Sequence, residues 1–460
     1  MDAMMNMHEA AQCAGGDLRG ANACFTAVST DTRTIKDGAL FVALRGERYD
    51  GHEYIAAAHA RGAVAAMVER RAPHASGDSP LPLLLVDDTR LGLGRLATYW
   101  RGKFTLPLIA VTGSNGKSTV KQMIAAILAE HAGPAHAYAT AGNLNNDIGL
   151  PLTLLGLRAQ HSCAVVELGM NHPGETDYLA RIAQPTVALV NNAQREHQEF
   201  MRSVEDVAHE HGTVFSALRA DGIAVINADD RYADYWRAVS APRQVLDFGV
   251  DRPAAVGGRY ELRDFGSEIA LRTPQGTAPI SLRAAGAHNV RNALAAAAAA
   301  TAAGVGLAAI TRGLASFHPM QGRLQAMPGK RGAIVLDDSY NANPDSVIAA
   351  IDVLASVAGR RFLVLGDMGE VGANGAVFHA EIGRYARAAN IERVFVLGEL
   401  CTHAAAAFGA GAQHYGDVDA LVAAVEPCLA PGVTVVVKGS RFMRMERVVQ
   451  ALAGTPAGAH

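Results

Sequence analysis

The sequence of 460 residues lacks the features that mark nucleic-acid-binding and disulfide-rich proteins. Its formal net charge at pH 7 is only -3, so it has no basic field of the kind that binds nucleic acid. The five cysteines are scattered along the chain without the spacing of metal ligands, at Cys13, Cys24, Cys163, Cys401 and Cys428. We therefore expect reduced thiols, as in a cytosolic protein.

Signals for export and for membrane insertion are also missing. Residues 1–9 have neither the basic nor the apolar segment of a signal peptide. Residues 293–310 carry no charge and are just long enough to span a bilayer, but they are mostly Ala and Gly. Gly304 and Gly306 would also break the helix near its end. We predict a buried helix here and a cytoplasmic protein with no membrane span.

What the chain does contain is typical of a globular protein of several domains. Half of its residues are hydrophobic and 18% are charged, and 460 residues are too many for one hydrophobic core. Three regions differ in pattern, and we predict domain boundaries that give residues 1–100, 101–320 and 321–460. The first region mixes turns with short apolar runs, of which residues 40–44 and 64–68 are predicted to be buried strands.

The second and third regions alternate strands with helices. This pattern is typical of a mostly parallel sheet covered by helices on both faces. The predicted strands are residues 106–111, 164–167, 187–190 and 224–227 in the second region, and 333–336, 361–365, 393–397 and 433–437 in the third. We therefore predict an α/β protein with a small N-terminal domain, a central parallel-sheet ATPase-like domain and a C-terminal Rossmann-like domain.

The strongest motif follows the first of these strands and precedes a predicted helix over residues 118–130. It runs through Gly113, Ser114, Asn115, Gly116, Lys117, Ser118 and Thr119. Glycines let backbone N–H groups converge on phosphate oxygens, lysine adds a positive charge, and Ser118 can offer a hydroxyl to Mg²⁺. Val111 stands where the general motif has its first glycine, and an ordinary glycine turn before a helix is the alternative.

Two further residues are candidates for metal binding. Glu167 ends a predicted apolar strand, where a carboxylate near a phosphate loop could hold Mg²⁺. His197 follows the strand at residues 187–190. Taken alone, Glu167 could equally be a solvated loop acid, and a loop histidine such as His197 is more often a surface residue than a ligand.

Together these segments resemble the Mur ligase family. The resemblance rests on residues 112–119, Glu167 and His197, and on six short segments elsewhere in the chain. Those segments are residues 29–33, 41–46, 288–293, 322–325, 365–370 and 437–441. The segment at residues 337–346, with sequence DDSYNANPDS, resembles the family member that adds D-alanyl-D-alanine. The resemblance covers almost the whole chain, in order.

The resemblance implies a reaction and its substrates. ATP would activate the terminal carboxylate of a UDP-N-acetylmuramoyl-tripeptide as an acyl phosphate, which the amine of D-alanyl-D-alanine would then attack. It implies ATP and Mg²⁺ as cofactors, and a cytoplasmic monomer that takes part in peptidoglycan synthesis. Another amide ligase of the superfamily, of the Mur or folylpolyglutamate type, is the close alternative, and a non-catalytic nucleotide-binding regulator is a more distant one.

The resemblance also implies roles for individual residues. Lys117, Glu167 and His197 would be catalytic, with Ser118, Glu167 and His197 holding Mg²⁺. Besides the phosphate loop, Asn292, Arg323 and Asp338 would bind the nucleotide, and His288 and Asn289 would shape the adenine side. The substrates would be bound by Ser29, Thr30, Arg45, Asn143, Asn145, Asn146, Tyr340, Asn341, Asn343, Lys438, Ser440 and Arg441.

One position departs from the family pattern. Many Mur ligases carry a carbamylated lysine that helps hold a second Mg²⁺, and His211 stands at the aligned position here. No lysine occurs between Lys121 and Lys330. Our hypothesis is that other groups hold the second ion, with His211 or Glu210 contributing, or that it binds more weakly.

Overall fold

The computed structural model describes residues 3–72 and 79–454, which form three α/β units in chain order. The predicted fold class is confirmed. In this part of the chain, no helix is both long and apolar enough to cross a membrane.

The first unit is built on a small, mostly parallel sheet. Its strands are β1 (Met5–Asn6), β2 (Asp17–Arg19), β3 (Cys24–Phe25), β4 (Ala27–Ser29), β5 (Ala39–Val42), β6 (Ala65–Glu69) and β7 (Leu83–Val86). Its helices are α1 (Met7–Ala14), α2 (Ile55–Ala60) and α3 (Thr89–Gly102). The sheet order is β2-β7-β6-β5-β4, with β2 antiparallel to β7, while β1 and β3 form a separate antiparallel pair. All four residues of β5 are buried, as expected for a strand covered on both faces.

The second unit contains a six-stranded parallel sheet and a three-stranded antiparallel sheet. The parallel strands are β8 (Leu108–Thr112), β9 (Ala137–Ala139), β10 (Cys163–Glu167), β11 (Val187–Val190), β12 (Ile223–Asn227) and β13 (Gln244–Phe248). The antiparallel strands are β14 (Gly257–Arg263), β15 (Gly266–Thr273) and β16 (Gly276–Leu282). The helices are α4 (Lys117–Ala132), α5 (Gly149–Leu155), α6 (Glu175–Ala183), α7 (Val204–Gly212), α8 (Ala233–Ser240), α9 (Ala287–Ala302) and α10 (Leu307–Ser316).

The order of the parallel sheet, β13-β12-β11-β8-β10-β9, decides where ligands can bind. Strand β8 lies between β10 and β11, so the loops after these three strands meet at one edge of the sheet. The phosphate loop, Glu167 and the segment that carries His197 are thereby brought to the same edge.

Helix α9 confirms the prediction of a buried, non-membrane helix. Residues 293–300 are all buried between the parallel sheet, α4 and the antiparallel sheet. The helix ends before Gly304, whose φ of +83° is easily adopted by glycine, and α10 begins at Leu307. Alanine suits this position because its small side chain lets α4 and the sheet approach closely.

The third unit is a second doubly wound sheet. Its strands are β17 (Gln325–Pro328), β18 (Ile334–Asp338), β19 (Arg360–Gly366), β20 (Arg393–Leu397), β21 (Ala412–Tyr415) and β22 (Val433–Lys438). Its helices are α11 (Pro344–Ser356), α12 (Gly375–Ala388), α13 (Cys401–Phe408), α14 (Val418–Val425) and α15 (Glu446–Leu452). The order is β17-β18-β22-β19-β20-β21, with β17 antiparallel to β18 and the others parallel. The carboxyl ends of β18 and β22 present Asp338 and Lys438 side by side.

Candidate active site

A cavity of about 910 Å³ lies where the carboxyl edge of the central sheet faces the third unit. Its walls come from the phosphate loop, from the loops after β10, β11 and β12, from the start of α9, and from the ends of β18, β19 and β22. The cavity therefore joins most of the segments that the sequence singled out.

The phosphate loop has the geometry that its glycines predict. The backbone turns between the end of β8 and the start of α4 with φ of +129° at Gly113 and +82° at Gly116. A Cβ on Gly116 would lie 2.4 Å from Asn292 Oδ1, so a side chain is excluded there by space as well as by φ. Gly116 caps α4, a helix of 16 residues whose positive end points at the cavity.

Lys117 is held across the loop. Its Nζ donates to the carbonyl oxygens of Gly113 and Ser114 at 2.5 and 3.0 Å and pairs with Glu196 Oε2 at 3.2 Å. Only 15% of the lysine side chain and 6% of that of Glu196 are exposed. The cation is thus positioned at the mouth of the loop, where phosphate oxygens would bind.

Glu167 offers an open carboxylate oxygen. Oε1 accepts hydrogen bonds from Ser118 Oγ at 3.1 Å and from Asn145 Nδ2 at 2.8 Å. Oε2 is buried and has no hydrogen-bond partner in the described structure. A buried carboxylate oxygen needs a partner, and a bound cation would provide one. Glu167 and Ser118 therefore fit a Mg²⁺ site, since this ion prefers oxygen ligands.

His197 lies on the other side of the loop, between two acids. Its Nδ1 is 2.6 Å from Glu370 Oε2, and its Nε2 is 3.7 Å from Glu196 Oε2. This close contact with the imidazole lowers the pKa of Glu370, although His197 Nδ1 is not aligned for a hydrogen bond. The other ring nitrogen, Nε2, faces Glu196.

His211 does not face the cavity directly. It is fully buried, with Nδ1 3.0 Å from Thr112 Oγ1 and Nε2 2.8 Å from Glu196 Oε1. Both oxygens of Glu210 accept backbone N–H groups, from Gly174 and Thr176 at the start of α6. Both ring nitrogens of His211 and both oxygens of Glu210 are thus already engaged, which does not favour our hypothesis that either ligates a second metal ion.

The residues expected on the nucleotide come from two units. Asn292 Oδ1 accepts from Asn191 Nδ2 at 3.0 Å beside the phosphate loop. Arg323 donates to Ser118 Oγ at 3.2 Å, and its guanidinium lies 4.1 Å from the centre of the Tyr340 ring. Asp338 is buried and pairs with Lys438 Nζ at 2.5 Å. Burial raises the pKa of Asp338, and the charge of Lys438 only partly offsets this.

Contacts between the second and third units close the cavity on one side. Asn343 Nδ2 donates to Asn115 Oδ1 at 2.9 Å, so the phosphate loop touches the start of α11 directly. Arg195 pairs with Asp345 at 2.7 Å and with Glu381 at 2.8 Å. These charge-assisted bonds are only partly exposed, which makes them stronger than ordinary surface pairs.

Comparison with known proteins matches each unit to a family model. Residues 25–100 match the model described as "Mur ligase family, catalytic domain", residues 111–300 match "Mur ligase middle domain", and residues 322–441 match "Mur ligase, glutamate ligase domain". The chain belongs to the Mur ligase family.

Individual Mur ligases are similar over nearly their whole length. The chain is 42% identical to the UDP-N-acetylmuramoyl-tripeptide--D-alanyl-D-alanine ligase of Escherichia coli, covering 95% of this chain and 96% of that one. The enzyme of the same name from Haemophilus influenzae is 39% identical over 92% and 93%. The crystal structure of MurF from Acinetobacter baumannii superposes with a TM-score of 0.90 at 32% identity, covering 97% of this chain and 98% of that chain.

Most site residues predicted from the sequence line this one cavity of the Mur ligase fold. They are Ser114 to Thr119, Asn145, Asn146, Glu167, His197, Asn292, Arg323, Asp338, Tyr340, Asn341, Asn343, Lys438, Ser440 and Arg441. Gly113 directly precedes Ser114, and the carbonyl oxygen of Asn143 accepts from Asn145 N at 2.8 Å. In the first unit, Ser29, Thr30 and Arg45 lie outside the cavity; Ser29 Oγ donates to Asp31 O at 3.1 Å, and Arg45 pairs with Asp50 at 3.2 Å.

Several residues of the site escaped the sequence reasoning. Glu196, next to His197, was not predicted to be part of the site, although its carboxylate forms the ion pair with Lys117. Asn191 and Asn192 support the phosphate loop, since Asn115 N donates to Asn192 Oδ1 at 2.8 Å and Asn191 Nδ2 donates to Asn115 O at 2.7 Å. The signal was a polar run directly after a wholly apolar strand, which favours a site at the carboxyl end of that strand.

Proposed function

We propose that this chain uses ATP to join D-alanyl-D-alanine to UDP-N-acetylmuramoyl-tripeptide, giving the UDP-muramoyl-pentapeptide of peptidoglycan synthesis. The observation that carries the proposal is one contact, the pair of amide side chains of Asn115 and Asn343. It places a nucleotide-binding loop against the segment that resembles the D-alanyl-D-alanine-adding Mur ligase. Both segments line one cavity.

The chemistry proceeds in two balanced steps. A carboxylate oxygen of the tripeptide attacks the γ-phosphorus of ATP, and the bond to ADP breaks. The neutral amine of the dipeptide then attacks the acyl carbon, phosphate leaves, and the amine loses a proton. The first step brings two anions together, so a cation at Lys117 reduces their repulsion. Holding the amine close to the acyl carbon can supply roughly 7–11 kcal/mol of the barrier reduction.

We assign the nucleotide and metal roles to residues that line the cavity or adjoin it. The backbone of residues 113–119 would surround the phosphates, while Asn292, Arg323 and Asp338 would contact the rest of the nucleotide. Ser118, Glu167 and His197 would hold Mg²⁺, which when bound supplies charge neutralisation on the phosphate oxygens. The open oxygen of Glu167 supports a bound cation. ATP is supported by the similarity to the MurF ligase of Thermotoga maritima in complex with ADP, which is 25% identical with a TM-score of 0.80.

The other substrates would bind around this centre. We assign the UDP part to the first unit with Ser29, Thr30 and Arg45, and the muramoyl peptide to Asn143, Asn145 and Asn146. The dipeptide would contact residues of the third unit. These are Tyr340, Asn341, Asn343, Lys438, Ser440 and Arg441.

The organisation of the working enzyme is part of the same proposal. We retain residues 1–100, 101–320 and 321–460 as the UDP-substrate, ATP and dipeptide domains. We also retain the expectation of a monomer. We place the enzyme in the cytoplasm, where ATP is available.

Phosphate release tests the proposal. We expect release from ATP and Mg²⁺ only when the UDP-muramoyl-tripeptide and D-alanyl-D-alanine are both present, with the pentapeptide seen by mass spectrometry. In the controls, single amino acids or glutamate replace the dipeptide. Turnover with one of these instead would indicate another ligase of the superfamily, and nucleotide binding without any turnover would indicate a regulator.

A further inference from the structure

Glu196 is a buried carboxylate in the wall of the cavity. Its Oε2 lies 3.2 Å from Lys117 Nζ and 3.7 Å from His197 Nε2, and its Oε1 lies 2.8 Å from His211 Nε2. The carboxylate is only 6% exposed and forms an ion pair with Lys117. One of its oxygens is held from behind by His211, and the other faces the phosphate loop.

His211 fixes the direction of this carboxylate. As the partner of Lys117, the Glu196 carboxylate accepts from His211 Nε2, and the hydroxyl of Thr112 contacts Nδ1 of the same ring. Thr112 is the last residue of β8 at the centre of the sheet, and it is fully buried. A rigid strand thus orients His211, and His211 orients Glu196, in the manner of an outer-shell histidine.

Glu196 Oε2 faces Lys117, and the proposed reaction needs the charge of Lys117 at the phosphates of ATP. Lys117 pairs with Glu196 in this structure, but a bound triphosphate would attract the same ammonium group. Once Lys117 turns to phosphate, Glu196 Oε2 is left anionic and buried, which is costly without a new partner. His197 lies beside it, with Nε2 3.7 Å from Glu196 Oε2.

We propose that Glu196, oriented by His211, is a ligand of a divalent cation that it shares with His197 when a triphosphate engages Lys117. The 3.7 Å between Glu196 Oε2 and His197 Nε2 is short enough for one ion to reach both, since Mg²⁺ lies about 2.1 Å from its ligands. The inference rests on the proposed nucleotide site, and it gives His211 the task of positioning a carboxylate instead of binding metal itself.

Binding of Mn²⁺, used as a paramagnetic probe for Mg²⁺, tests this. The full chain is titrated with Mn²⁺ in the presence of a nonhydrolysable ATP analogue, and free Mn²⁺ is measured by electron paramagnetic resonance. We expect Glu196→Gln, which keeps the shape and the acceptor for His211, to weaken at least one Mn²⁺ site by tenfold or more. Glu199→Gln is the matched control, because Glu199 is exposed on the same loop.

A second pair of variants tests the positioning role. Thr112→Val removes the hydroxyl that holds His211 while keeping the shape of the strand residue, and His211→Gln removes the ring. We expect both to weaken the same Mn²⁺ site as Glu196→Gln while the melting temperature of Thr112→Val stays close to that of the wild type. Wild-type Mn²⁺ affinity in a folded Thr112→Val protein would remove the positioning role.

The outcomes separate this inference from the proposed function. Wild-type number and affinity of Mn²⁺ sites in Glu196→Gln would overturn the inference while leaving the nucleotide site intact. Failure of the wild-type chain to bind the nucleotide analogue would overturn the proposed function, and the inference with it. The affinity for the ATP analogue is also measured without divalent ions, in excess chelator. Under these conditions wild type and Glu199→Gln should bind the analogue with similar affinity.

Discussion

Glu370 of the third unit lies 2.6 Å from His197 Nδ1 of the second unit, across the cavity that separates them. The backbone of both residues is left-handed, with φ of +56° at Glu370 and +48° at His197. Such conformations are uncommon outside glycine and concentrate where function requires a particular geometry. The backbones also meet, since Glu199 N donates to Glu370 O at 3.1 Å. Contact with the third unit thus holds the His197 ring in place beside the proposed metal site.

Removing the contact between Glu370 and His197 should raise the Mg²⁺ requirement of the reaction, with a smaller effect on the stability of the fold. Glu370→Ala frees the His197 ring, and we expect the Mg²⁺ concentration for half-maximal activity to rise about tenfold. Glu370→Gln should have a smaller effect, because a side chain of the same size still packs against the ring. The check is a Mg²⁺ titration of phosphate release at saturating substrates. Equal Mg²⁺ requirements in all three proteins would remove the positioning role of Glu370.

Lys117→Ala should abolish most of the turnover without unfolding the protein. Its ammonium reaches the two loop carbonyls and Glu196, so it lies within the loop that would bind the phosphates. We expect kcat to fall by at least two orders of magnitude, because charge stabilisation of the transferring phosphoryl group is lost. Steady-state kinetics and a melting curve measure the two properties. Near wild-type kcat would show that the phosphate-loop interpretation is wrong.

Two substitutions of Asp338 should affect both nucleotide binding and stability. Asp338→Asn and Asp338→Ala should both raise the KM for ATP, and both leave Lys438, which is 3% exposed, without its counter-charge. Breaking a buried pair from one side costs roughly 3–5 kcal/mol, so both variants should be destabilised, and Asp338→Asn less so because its amide oxygen can still accept from Lys438 Nζ. Kinetics with varied ATP and urea unfolding provide the measurements, and an unchanged KM in both would take Asp338 out of the nucleotide site.

His288 predicts a pH dependence of stability. Burial, with the charges of Lys438 and Arg291, lowers its pKa from 6.5 to about 4. Between these values the unfolded chain binds a proton that the folded chain does not, so stability falls as the pH falls from 6.5 towards 4. In His288→Gln this component is absent. From pH 7.5 to 4.5 we expect wild type to lose about 2 kcal/mol more unfolding free energy than the variant in urea titrations; equal losses would contradict this.

The sequence predicted the central strands well, for a physical reason. Strands β11 and β20 match the predicted residues 187–190 and 393–397, because continuous apolar runs such as residues 187–190 and 394–397 are typical of buried parallel strands. The antiparallel sheet over residues 257–282 was not predicted. Its strand β15 alternates buried and exposed residues, a weaker signal than a continuous apolar run.

The contacts that complete the site could not be predicted in the same way. The pairs Asn115–Asn343 and His197–Glu370 join residues more than 170 positions apart on different units, and no local pattern encodes such a pairing. Glu196 could not be predicted because an acid in a loop is usually exposed to solvent, and only the fold shows that this one is buried beside Lys117. The family resemblance supplied the roles of single residues, while the structure supplied their partners.

Transfer of oxygen from the tripeptide to phosphate tests the central claim most directly, that the phosphate loop delivers the γ-phosphoryl group of ATP to a carboxylate. UDP-muramoyl-tripeptide labelled with ¹⁸O in its terminal carboxylate is turned over with ATP and D-alanyl-D-alanine, and the released phosphate is analysed by mass spectrometry. Because the acyl phosphate keeps a carboxylate oxygen on phosphorus when it is cleaved, we predict one ¹⁸O in each phosphate. Phosphate without ¹⁸O, formed together with the amide product, would contradict the account.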